Sequence, residues 1–307
     1  MKTVIPCYGV NDLQTMFEDI SYSHPQFYYL KQHYHVSMGL TGKNIVLSYR
    51  FNKSQRNDIN SQIEKIMQEI LSTNINDHQS DYDKVLVLHD YLKINLQYDY
   101  DALNSSGKGF EDSYGIVGAF LKRKCVCNGF SLAFKALCDR IGLECLVVTG
   151  TGNSSLIRGP HAWNIVKING YYHHVDVTWD NQFTDDARIP NYGYLNLDDE
   201  TIAKDHTWNR NNYPKCEHAP YNYFKVNQSL IDSKPHLEKF LYQNLQDEEE
   251  HIIFKVLKGS ILEKEIAGSL DSIANSASRK LKHVSVREFK YSYIPAQLVY
   301  MVQPTYQ

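Results

Sequence analysis

A chain of 307 residues with 42% hydrophobic and 22% charged side chains has an ordinary globular composition, long enough for one large domain or two to three small ones. The formal net charge of −3, with no clustered Lys/Arg stripe, gives no electrostatic case for a nucleic-acid partner. No stretch approaches the roughly 20 apolar residues of a membrane helix. Residues 1–10 lack the basic end and apolar run of a signal peptide, so a cytoplasmic protein is expected. A leader trimmed from this sequence would instead imply a secreted or cell-surface protein. Six cysteines without regular spacing predict reduced thiols, and the 23 tyrosines are read as half-buried packing residues rather than a carbohydrate platform.

Residues 11–71 read as a helix, two strands and a helix. The strands are 34–38 and 44–51, joined through Thr41-Gly42-Lys43. The second helix, 58–71, follows from Ile59, Ile63, Ile66, Met67 and Ile70 at helical spacing. A polar run at 72–81 is the first linker. A helix over 82–95 follows, then a break at 105–109 and a short helix over 114–121. Residues 128–141 form the strongest amphipathic pattern, with Phe130, Phe134, Leu137 and Ile141 on one face and Gly142 as the stop.

A strand at 144–149 and a loop at 150–160 lead into strands 161–168 and 171–179. Between these two strands lies Asn169-Gly170, the best short hairpin signal in the chain. After a turn-rich stretch to about 222, residues 230–243 read as helix, 250–257 as strand, 260–277 as helix, and 284–293 and 295–302 as strands. The expected division is an N-terminal α+β module (1–76), a core (77–221) and a C-terminal α+β module (222–307).

The hairpin carries the first chemical signal. A two-residue loop sets Ile168 opposite Tyr171, His161 opposite Thr178 and Trp163 opposite Asp176. Alternation then puts Ala162, Val166, Ile168, Val175 and Val177 on a core face, and His161, Trp163, His174, Asp176 and Thr178 on the other. His161 and Asp176 are diagonal neighbours there, so a carboxylate can hold an imidazole in one tautomer. Asn164 falls on the opposite face and takes no catalytic part; His174 lies farther down the hairpin as a supporting residue. Cys127 directly precedes the amphipathic helix. There the positive end of the dipole and unpaired N–H groups favour thiolate, whereas Cys125 lies outside the first turn. Cys127, His161 and Asp176 together are the pattern of a cysteine nucleophile with its base and orienting group.

Two bland readings compete. Cys127 and His161 could each be core residues, a reading that their joint occurrence with Asp176 outweighs. Zinc on Cys125, Cys127, His173 and His174 fails on geometry, because Cys-x-Cys is tight and adjacent strand histidines point to opposite faces. No metal or other cofactor is expected. His89 is read as structural.

Cys127-Asn128-Gly129-Phe130, His161-Ala162-Trp163-Asn164 and Tyr172-His173-His174-Val175-Asp176-Val177-Thr178-Trp179-Asp180 resemble the Cys, His and Asp motifs of the transglutaminase-like superfamily. The likeness is to its bacterial members. It covers about residues 82–180 and extends loosely to His89-Asp90-Tyr91-Leu92 and Asp205-His206-Thr207-Trp208. It implies an α+β fold with a papain-like core, a Cys-capped helix packed on an antiparallel sheet, flanked by small α+β modules. It also implies a Cys127–His161–Asp176 triad acting on a protein or peptide amide through a thioester.

Two departures stand out. Cys125 occupies a position that is usually Gly in the family, and no Trp precedes Cys127. An indole oxyanion donor is therefore absent. The Cys127 N–H is the first oxyanion donor and the Tyr114 phenol the candidate second. Hydrolysis is favoured over transamidation, since no feature specifies an amine-acceptor channel. The alternatives are a catalytically silent interaction module of the same fold and an acyltransferase with a small thioester donor, for which no CoA-binding stretch is found. The oligomeric state is left open.

Overall fold

The computed structural model describes residues 2–7, 17, 20–31, 35–39, 42–105, 109–153, 158–182 and 189–307. The fold is mixed α+β, the class read from the sequence. Residues 11–16 of the first expected helix, Thr41 of the first turn, 106–108 of the expected break and 154–157 of the expected loop lie outside the described residues. Among the described residues no helix is long and apolar enough to cross a membrane.

The chain forms two compact units, residues 1–150 with 160–169, and residues 151–159 with 170–307. In the first, strands β1 (Lys2–Cys7), β2 (His35–Gly39) and β3 (Gly42–Ser48) make an antiparallel sheet in the order β1-β3-β2. The sequence reading anticipated β2 and β3 but not β1. Helix α1 (Lys53–Asn74) starts five residues earlier than its apolar spacing suggests. A capping box explains this: Asn52 accepts from Gln55 N–H while the Gln55 side chain accepts from Asn52 N–H. Ile63, Met67 and Ile70 are its buried stripe. Helix α2 (Asp81–Asn95) has a second capping box between Ser80 and Asp83. It buries Val85, Leu88, His89 and Leu92 and packs on α3 (Cys127–Arg140).

Strands β4 (Cys145–Asn153) and β5 (Arg158–Ile168) are sheet neighbours. Both run farther into the expected 150–160 loop than their apolar runs indicate. β5 passes into β6 (Tyr171–Val175) through Asn169 (φ 48°) and Gly170 (φ 89°), the pair of positive φ values that a type I′ turn requires.

Within the second unit β6 pairs antiparallel with β7 (Leu195–Leu197), with an irregularity between His174 and Val175. The expected strand 171–179 ends early. Helix α4 (Val177–Gln182) begins directly after Asp176, whose Oδ1 accepts from Trp179 N–H at 3.1 Å. A carboxylate capping the first turn takes the chain out of extended geometry, so Thr178 is not a strand residue. Helix α5 (Asp199–Ile202) and strand β8 (His206–Trp208) follow. Asp205 O accepts from Asn153 N–H at the end of β4.

The C-terminal sheet has the order Leu230–Ile231, β9 (Ile252–Val256), β11 (Val299–Tyr306), β10 (Val286–Ile294). Helices α6 (Lys234–Gln246) and α7 (Ile261–Ser278) supply Leu237, Leu241, Leu245, Ile266 and Ala274 to one buried cluster with Phe254, Tyr300 and Val302. Pro295 lies in the turn between β10 and β11 rather than in a strand.

That self-contained core supports residues 222–307 as a separable module, which we put forward as a prediction. Limited proteolysis should cut between about residues 180 and 222, or just beyond, and leave a resistant C-terminal fragment. A single resistant unit melting in one transition would count against the boundary.

Candidate active site

The approach to Cys127 is held by backbone and buried polar contacts. The two-residue strands Gln97–Tyr98 and Lys124–Cys125 pair in parallel, and Asp99 N–H donates to Cys125 O. The Asp99 carboxylate accepts from Ser113 Oγ at 2.5 Å and from Ala102 N–H at 3.2 Å, and pairs with Lys124. Ser113 O in turn accepts from Val126 N–H at 2.9 Å. The chain thus arrives extended at Val126 and turns into α3 at Cys127, the first helical residue. Val126 offers no side-chain cap. The N–H groups of Gly129 and Phe130 reach Val126 O, so the first-turn donors that lack an acceptor one turn back are those of Cys127 and Asn128.

Cys127 is 8% exposed, Cys125 fully buried. Burial pushes the Cys125 thiol well above the ordinary thiol range, and the neighbouring charges of Cys127 and Asp99 push the same way. Cys125 packs beneath the first turn of α3. A Cβ at Gly129 would lie 2.9 Å from Cys125 Sγ and 2.9 Å from Ser113 O, closer than real Cβ atoms come. Glycine is therefore required at 129 by space, not by φ. Cys127 Sγ lies 3.5 Å from Asn128 Oδ1, and Asn128 Nδ2 donates to the Tyr22 hydroxyl at 2.8 Å. Tyr114 is half-buried and its hydroxyl reaches Ala102 O at 3.4 Å. Burial raises its phenol, and the Cys127 charge raises it further.

His161 stands on β5 with its ring 5.9 Å from that of Trp163, the two nearly parallel at 19°. It is 5% exposed. Asn164, on the same strand, donates to Ser131 O on α3 at 3.0 Å and to Leu146 O on β4 at 3.2 Å. Ser131 Oγ donates to Cys127 O at 2.9 Å. Asn164 thereby fastens β5 to the first turns of the helix that bears Cys127. His89 is fully buried, with Nδ1 2.9 Å from Asp90 Oδ1.

In the second unit Asp176 is fully buried at the junction of β6 and α4. Its Oδ1 accepts from Trp179 N–H, and its Oδ2 lies 3.0 Å from His206 Nε2. His206 is the residue that the sequence reading left without a role. It stood in the Asp205-His206-Thr207-Trp208 motif, but no periodicity connects it with Asp176, 30 positions away. His174, read as a support, bonds through Nε2 to Asp199 Oδ1 at 2.8 Å and packs edge-on against Trp208. Its ring nitrogen, the Asp199 carboxylate and Cys216 Sγ lie within 4.8 Å of one another, a set of donor types able to hold a metal. Here the His174–Asp199 bond and the donation from Cys216 N–H to Asp199 Oδ2 already account for both carboxylate oxygens.

Comparison with known proteins places the middle of the chain. Kyphoscoliosis peptidase of Mus musculus is 25% identical over 127 residues, 39% of this chain and 19% of that protein. Its Homo sapiens counterpart is 24% identical over 127 residues with the same coverage. The chain thus spans about a fifth of the length of these relatives. A crystal structure of a TGase aligns at a TM-score of 0.35 with 16% identity, covering 58% of this chain and 50% of that one. Residues 69–198 match the family model of the transglutaminase-like superfamily.

Proposed function

We propose that the chain is a cysteine acyl-transfer enzyme with Cys127 as nucleophile, His161 as acid and base, and Asp176 as the group that orients His161. The observation that carries this reading is Cys127 as first residue of a helix with no side-chain cap, which sets its thiol beside the first-turn N–H groups at the positive end of the helix dipole. The family match supports this general kind of reaction. His161 lies on β5, and Asp176 directly follows β6, the strand that a two-residue turn joins to β5, which supports their partnership.

The thiolate attacks the carbonyl carbon of a protein or peptide amide. The oxyanion accepts from the Cys127 N–H, with the Tyr114 hydroxyl as second donor. His161 gives its proton to the leaving amine as the C–N bond breaks, and a thioester remains on Cys127. Water, deprotonated by His161, then attacks the thioester and releases the acid and the thiolate. An amine acceptor in place of water would give transamidation. Hydrolysis is the favoured outcome, in keeping with the name peptidase borne by the relatives.

A peptide chloromethyl ketone should add once to the wild-type chain by intact mass and not at all to Cys127→Ala. A well-folded wild type that forms no adduct would favour the silent interaction module. Asp176→Asn should stay folded yet lose most activity, on the order of 10⁴-fold if the amide selects the wrong imidazole tautomer. Full activity in a folded Asp176→Asn protein would remove Asp176 from the triad. At mildly acidic pH iodoacetamide should label Cys127 before Cys125, and the preference should shrink in His161→Ala. Equal labelling, or labelling of Cys125 first, would move the nucleophile to the wrong sulfur for this scheme.

A further inference from the structure

The second unit contains a buried polar chain that the proposed chemistry leaves unexplained. It runs from Asp176 Oδ2 to His206 Nε2 at 3.0 Å, then from His206 Nδ1 to Asp205 Oδ1 at 2.7 Å. Asp205 Oδ2 accepts from the Tyr194 hydroxyl at 2.6 Å and from Gln297 Nε2 at 3.3 Å. Asp176, Tyr194 and Gln297 are fully buried, His206 and Asp205 nearly so. The Trp179 ring lies 4.1 Å from the His206 ring and the Tyr194 ring 5.6 Å from it.

An ionised carboxylate can only accept hydrogen bonds. Both ring nitrogens of His206 face carboxylate oxygens. With both carboxylates ionised, a ring with a single N–H would set a nitrogen lone pair against an oxygen lone pair in a site shielded from water, where such a mismatch is costly. With hydrogen on both nitrogens every contact is donor to acceptor, and one positive charge lies between two negative ones. Nothing else in the chain need change: the Tyr194 and Gln297 donors serve the far oxygen of Asp205.

We infer that His206 is a doubly protonated positioning residue that clamps the Asp176 carboxylate. With Trp179 N–H on Oδ1 and His206 on Oδ2, the carboxylate plane is fixed from two sides. Asp205, Tyr194 and Gln297 hold the clamp. This inference rests on the Cys127–His161–Asp176 reading for its functional consequence, but not for the protonation of the ring.

Two measurements on the full chain test it. In the ¹⁵N-histidine-labelled protein, with His206 assigned through its backbone, both ring nitrogens should carry a slowly exchanging proton at neutral pH. A ring with one N–H overturns the clamp. Second, the rate of Cys127 alkylation by iodoacetamide should fall roughly tenfold or more in folded His206→Gln, the scale of removing an outer-shell partner. It should fall in Asp176→Asn, and no further in the double variant, because the two residues act as one unit. An unchanged rate in folded His206→Gln, or losses that multiply in the double variant, would reduce His206 to packing. An unreactive Cys127 in the wild type would defeat the triad reading instead, while the ring spectrum would still decide the clamp.

Discussion

A carboxylate with no exposure must find its hydrogen-bond partners inside the protein or lose its charge, and Asp176 sits under that constraint. The surrounding elements can be read as its solution. Trp179 N–H is available because the chain turns into α4 immediately after β6. His206 is available because β8 follows α5 by a short turn and its flanking Asp205 is pinned to the end of β4 through Asn153. Asp205 brings its own burial cost, met by Tyr194 beside β7 and by Gln297 in the turn before β11. A single buried charge therefore recruits residues from position 153 to position 297. Residues 222–307 contribute to this arrangement through the Gln297 amide side chain.

The first unit solves a different problem, that of starting a helix without a cap. Ser, Thr, Asp or Asn before α3 would satisfy one of its first N–H groups, and Val126 does not. The position of the start is secured from outside the helix, by Ser113 O on Val126 N–H and by the Asp99 network beneath Lys124 and Cys125. Three of the longer helices are capped in the ordinary way, α1 and α2 by reciprocal boxes and α7 by Ser260. Leaving this one open costs stability and keeps donors beside the Cys127 thiol.

Much of this was legible before any coordinates. Asn169-Gly170 demanded a hairpin because few residue pairs tolerate two positive φ values, and the apolar spacing of Phe130, Phe134 and Leu137 located α3. What failed did so where local pattern and tertiary need diverge. The run Tyr171 to Trp179 alternates like a strand, yet the capping power of the Asp176 side chain ends the strand at Val175. Strand β1 was overlooked because it is edge-placed and pairs with β3, far along the chain. His206 could not be joined to Asp176 by any periodicity, since their meeting depends on how several short elements pack after position 182. A histidine flanked by an aspartate and followed by an aromatic residue was the available hint.

Position 129 is closed twice, by the Cys125 side chain and by the Ser113 carbonyl oxygen. Shrinking residue 125 to the glycine more usual at that place would remove one obstacle and leave the other, which is main chain and cannot be substituted away. Sequence drift around the nucleophile is thus blocked along single-step paths: a descendant can exchange Cys125 while keeping Gly129, but it cannot give up Gly129 without also rebuilding the turn at Ser113. Of the neighbours of Cys127, the small residue without a side chain should be the slowest to change.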